Sequence, residues 1–63
     1  MMRSAPVSHR LTLEDAVEIW RRRWLGEAQH SIAAGFSVNP GRIAEVLLGK
    51  QFPEAKSIAL KGR

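Results

Sequence analysis

The apolar positions of this chain fall into short runs at helical spacing, separated by breaks that carry capping residues. Advancing about 100° per residue from Leu13 places Leu13, Ala16, Val17, Trp20 and Trp24 on one face about 100° wide, the stripe of a helix that covers a core. Thr12 precedes this run as an N-cap, with Asp15 three residues on in a near capping box. Glu14 and Asp15 complement the positive end of the helix dipole and Arg21, Arg22 and Arg23 the negative end, and Gly26 supplies the stop. Ile19 and Leu25 fall off the stripe. They are either ordinary exposed apolar residues or part of a second contact, and in so small a chain a subunit contact is favoured.

A second helix is predicted over about residues 28–35, with Ile32 and Ala33 facing inward and Gly35 near its end. The pattern breaks at Phe36, Ser37 and Val38. It resumes after Asn39 and Pro40, an N-cap followed by the one helical position where a missing N–H costs nothing. This third helix is predicted over about residues 40–48, with Ile43, Val46 and Leu47 inward and Gly49 as its stop. Pro53 can open a short fourth helix carrying Ala55, Ile58, Ala59 and Leu60. No stretch alternates long enough to make a strand, so the fold class is all-α. Residues 1–10 read as a flexible N-terminal arm, 11–50 as a three-helix domain, and 51–63 as a C-terminal segment that is helical or dimerising.

Length limits what such a domain can do. A chain of 63 residues buries only about 60% of its unfolded surface, so its core is small. The absence of cysteine removes disulfides and thiolate metal sites, leaving helix packing or a partner chain to supply stability, and fits a reducing, cytoplasmic location. No run approaches a signal peptide or the roughly 20 apolar residues of a membrane span. A net charge of +4 and a pI near 10.8 favour polyanionic partners or anionic membrane surfaces, although Arg3, Lys61 and Arg63 lie in the tails.

Two short helices joined by a turn of about four residues, with a small residue at their crossing, carry the signature of a helix-turn-helix unit. Ala33 lets the second helix lie close against the third, while Ile32, Phe36, Val38, Ile43 and Val46 fill the angle between them. Through Gly26, Glu27, Gln29, Ile32, Ala33, Val38, Asn39, Gly41, Arg42, Ile43, Glu45, Gly49 and Lys50, the chain resembles helix-turn-helix proteins of phage-repressor and resolvase type. More narrowly, it is similar to small proteins of bacterial genomes and prophages with a Gly-Glu-x-Gln-x-x-Ile-Ala, then Val-Asn-x-Gly-Arg-Ile pattern. The resemblance covers about residues 12–52. One departure is Ser37, where such families place glycine in the turn, so the turn is either strained at Ser37 or shifted toward Gly35.

The resemblance implies double-stranded DNA as the partner, with the start of the third helix entering the major groove while the second crosses the backbone. It assigns Gln29 to a phosphate contact beside a helix N-terminus. Asn39, Pro40, Gly41, Arg42, Ala44 and Glu45 form the segment and face that approach bases. Arg42 can meet guanine or a phosphate, Glu45 can accept from cytosine or pair with Arg42, and Asn39 can contact adenine or only cap its helix. Gly41 allows close backbone approach. Lys50, Arg21, Arg22, Arg23 and Arg10 are phosphate candidates, although the three consecutive arginines point in different directions and Arg22 pairs with Glu18 at i, i+4.

The implied function is a small transcriptional regulator of phage or mobile-element type. A single unit makes few base contacts, so a homodimer on two half-sites is expected, with Ile19, Leu25, Leu48 and residues 52–60 as its surface. The alternative is a protein-interaction module of the same fold that binds a polymerase subunit or larger regulator. A helical bundle with no DNA role is the bland reading against both. His9 and His30 lack companions at metal-ligand spacing, and Ser31 beside His30 is a dyad by adjacency alone. Neither a metal, a cofactor nor an enzyme activity is expected. Trp20 and Trp24 read as core residues, and an amphipathic membrane-surface role for the first helix conflicts with its acidic start.

Overall fold

The computed structural model describes residues 11–62 as four helices: α1 (Leu13–Trp24), α2 (Gln29–Phe36), α3 (Pro40–Leu47) and α4 (Ala55–Lys61). No strand occurs among the described residues, whose fold class is all-α. The arm expected over residues 1–10 lies outside the described residues.

Helix α1 begins in a full capping box. Thr12 Oγ1 accepts from the Asp15 N–H at 3.2 Å, and the Thr12 N–H donates to Asp15 Oδ2 at 3.0 Å. Leu11, just before the cap, and Ala16, the fourth helical residue, are both buried in the core, the placement of a hydrophobic staple. Sequence reasoning did not assign Leu11 to the core.

The core is built on Ile19, Ile32, Ile43 and Val46, all fully buried, with Ala16, Ala33, Ala55 and Ala59 at or near full burial between the helices. Ile32, Ala33, Ile43 and Val46 lie where the apolar pattern places them. Ile19 does not. Expected off the stripe and at a subunit contact, it is fully buried by its own chain. The reason is that α1 is contacted by α2, α3 and α4 together, so it buries a wider arc than a helix resting on a single surface. Ile19 lies only about 60° around the helix from Ala16 and falls inside that arc. Trp20 and Trp24, read as core, pack against it as half-buried residues at its edge, their ring centroids 5.5 Å apart.

Helix α4 covers α1 and belongs to this core. Ala55 and Ala59 are fully buried, small enough to bring the two helices close, and the Lys56 ammonium lies 5.4 Å from the centre of the Trp20 ring. Of the large apolar residues in the surface expected from residues 52–60, Ile58 and Leu60 remain exposed, at 39% and 49%.

Helices α1, α2 and α3 end in the same way. In each, the residue after the cap or the cap itself takes positive φ, and the last two turn N–H groups bond back to carbonyls five and three residues earlier, the Schellman pattern. Glycine provides the positive φ after α1 (Gly26, +100°) and after α3 (Gly49, +81°). After α2 it is Ser37, at φ 58° and ψ 42°, with Val38 donating to the Ala33 carbonyl at 3.0 Å and Ser37 to that of Ala34 at 3.2 Å. The bend is thus at Ser37 and not at Gly35. A side chain costs roughly 1 kcal/mol in this conformation, and glycine relieves it. Ser37→Gly should raise the melting temperature by about 4–8 °C, measured by circular dichroism; an unchanged or lower value would show that Ser37 carries no strain there.

Candidate functional site

The exposed surface of α3 follows from how the helix is held. Asn39 caps its start, Oδ1 accepting from the Gly41 N–H at 2.7 Å, and Pro40 occupies the first turn. Ile43 and Val46 anchor the opposite face in the core. Pro40, Gly41 and Arg42 consequently project from the molecule, all exposed. The absent Cβ of Gly41 leaves room for the cap, since one built there would lie 3.2 Å from Asn39 Oδ1.

Asn39, Gly41, Arg42 and Glu45 line one shallow, open depression on this surface. Within it Arg42 Nη1 and Glu45 Oε1 are 3.3 Å apart, the pairing anticipated as one fate of Glu45. The pair is solvent-accessible, so its Coulomb energy is at most about 1 kcal/mol.

Gln51 completes this arrangement, and sequence reasoning missed it. Its Nε2 also donates to Glu45 Oε1. A separation of six residues has no helical meaning, and only the left-handed turn at Gly49 returns the chain to Glu45. The same turn brings the Lys50 N–H to the Glu45 carbonyl at 2.9 Å. A glycine stop followed within two residues by a side-chain donor was the one available signal.

The other candidate residues do not line the depression. Gln29 is the exposed first residue of α2, a helix whose N-cap, Ala28, provides no side-chain bond. Lys50 is exposed just beyond α3. Arg21 is exposed on α1 and borders a shallow apolar depression with Trp24, Leu25 and Gly62 near the end of α4. Arg22 makes the pair with Glu18 that its i, i+4 spacing predicts, and further contacts besides. Its guanidinium bonds Glu18 at 3.3 Å, lies 3.5 Å from a Glu27 carboxylate oxygen, and stands 5.7 Å from the centre of the Phe36 ring. It ties α1 to the segment before α2 and to the end of α2. Arg23 is exposed and donates to the Glu27 carbonyl at 3.4 Å.

His30 and Ser31 are both exposed, and His9 and Arg10 lie outside the described residues. No helix among the described residues is long and apolar enough to cross a membrane. No known protein family matches the chain, and neither a curated protein nor a solved structure matches it.

The capping role of Asn39 can be tested by itself. Asn39→Ala should cost about 1 kcal/mol, whereas Asn39→Ser, which restores a capping oxygen, should recover most of it. Chemical denaturation of the three proteins checks this, and equal stability of the alanine and serine variants would contradict a capping role.

Proposed function

We propose that α2 and α3 form a helix-turn-helix unit that binds double-stranded DNA, with the start of α3 entering the major groove and α2 crossing the backbone. The observation that carries this reading is the division of α3. Ile43 and Val46 are fully buried while the first turn, with Arg42, is exposed over an open depression. An inserted helix needs a rigidly anchored inner face and an unobstructed outer one.

Three further features support it. Neither α2 nor α3 has an acidic residue in its first turn, so both positive helix ends are unneutralised there. Gln29 stands at the start of α2, with an amide suited to a phosphate. Lys50 and Arg42 are exposed cations in a chain of net charge +4. Arg42 is the base-reading residue in this proposal, Asn39 and Gly41 shape its approach, and Glu45 sets its direction. Lys50 and Arg21 serve phosphates. Arg22, held by two carboxylates, serves the fold.

One unit of this size offers few base contacts, so the reading includes a homodimer on two half-sites, joined through exposed Leu25, Ile58 and Leu60. Action as a small cytoplasmic transcriptional regulator of phage or mobile-element type rests on the resemblance of the motif residues. Leu48 favours a second reading. It is 72% exposed and follows Glu45 on the outer side of α3, a combination suited to a protein partner such as a polymerase subunit.

A gel-shift titration against random duplex at about 50 and about 200 mM salt separates the two. Four phosphate contacts should weaken binding roughly a hundredfold across that range, and the absence of any salt-sensitive shift would favour the protein partner. Arg42→Ala should then relax sequence preference, while Lys50→Ala should weaken all duplexes alike and reduce the logarithmic salt slope by about 1. Equal effects of the two substitutions on preference and slope would defeat this division of roles.

A further inference from the structure

The hydrogen bonds at Glu45 are unevenly distributed. Both Arg42 Nη1 and Gln51 Nε2 engage the same oxygen, Oε1. Oε2 has no hydrogen-bond partner among the described residues, and neither do Nε and Nη2 of Arg42. An ionised carboxylate accepts at both oxygens, and a guanidinium donates from all three nitrogens. Arg42 and Glu45, which both line the depression, therefore offer two free guanidinium nitrogens, Nε and Nη2, and one free carboxylate oxygen, Oε2. Gln51 and Arg42 hold that acceptor from two directions, which restricts its rotation.

Base pairs differ in whether they match this order. In the major groove a G·C pair presents two adjacent acceptors, guanine N7 and O6, followed by the amino donor of cytosine N4. An A·T pair presents acceptor, donor, acceptor and then a methyl group. Two donors followed by an acceptor complement the first pattern. Against the second, one guanidinium donor faces the adenine amino group and the carboxylate has no donor at the far side. A carboxylate near DNA is also repelled by phosphates, so it favours binding only where a base donor meets it.

We propose, on the premise that α3 binds duplex DNA, that Gln51 is a positioning residue that fixes Glu45 beside Arg42, so that the pair selects a G·C base pair through its major-groove edge. Arg42 donates to guanine N7 and O6, and Glu45 Oε2 accepts from cytosine N4. Gln51 touches no base.

The test uses the full chain and fluorescence anisotropy with three pools of short duplexes: random-order G·C pairs, random-order A·T pairs, and the G·C pool with inosine in place of guanine. Inosine keeps the major-groove edge and removes the minor-groove amino group. The G·C and inosine pools should bind about tenfold more tightly than the A·T pool. Gln51→Met, similar in size but without a donor, should bring that ratio below about threefold with A·T affinity unchanged, and Gln51→Lys, which keeps an N–H donor, should preserve the ratio. Glu45→Gln should lower the ratio while strengthening A·T binding. A role of Gln51 in stability alone would move the melting temperature and leave the ratio intact, and that result overturns the assignment. Salt-sensitive but equal binding to all pools overturns the G·C inference and leaves the DNA reading standing. A preference lost with inosine overturns the major-groove edge. No binding to any pool removes both.

Discussion

The meeting of Ile19, Ile32, Ile43 and Val46 in one fully buried cluster is the interaction on which the rest depends. Four helices of 7 to 12 residues are too short to persist alone in water, where isolated helices below about 12–15 residues are marginal. Each is stable only because its apolar face is covered by the others. The alanines at positions 16, 33, 55 and 59 make this coverage effective, since a small side chain at a helix contact lets large neighbours interlock without a void. Losing one large member leaves a cavity costing roughly 2–5 kcal/mol. In a chain of 63 residues that is a large share of the total stability.

The turns convert this packing into a presented surface. Three helices end by the same backbone device, yet the device has different consequences at each place. After α1 it brings the Glu27 N–H back to the Arg22 carbonyl, near the point where the Arg22 side chain meets the Glu27 carboxylate. After α2 it redirects the chain at Ser37 so that Asn39 can start α3 within three residues. After α3 it returns Gln51 to Glu45. Phe52 continues with φ 53°, a conformation rarely adopted by an aromatic residue and one that also precedes a proline. Its ring packs against the core, and Ala55 donates to its carbonyl at 2.9 Å, closing the turn into α4.

Formal charge alone misrepresents what this surface offers a partner. Arg22 is committed to Glu18, Glu27 and Phe36, and Lys56 to the Trp20 ring. Arg42 remains exposed but is balanced by Glu45. Cations bound in this way serve the fold or direct a contact, whereas Lys50, exposed beyond the last turn of α3, is available for a non-directional one. The number of basic residues therefore overstates the charge that an anionic partner meets.

By itself the sequence determined the local features: the capping box at Thr12 and Asp15, the Asn39 and Pro40 start, the glycine stops, and the inward positions of Ile32, Ala33, Ile43 and Val46. These depend on interactions within a few residues, where spacing and side-chain type suffice. The burial of Ile19, the docking of α4 through Ala55 and Ala59, and the partly buried edge position of Trp20 and Trp24 were decided only by the tertiary structure. A helical wheel measures direction around one axis and does not show how many neighbours surround it. The candidate site divides along the same line. Asn39, Gly41, Arg42 and Glu45 share one helix surface that periodicity reveals, while Gln51 reaches it only because the chain reverses at Gly49, a three-dimensional closure that no one-dimensional spacing encodes.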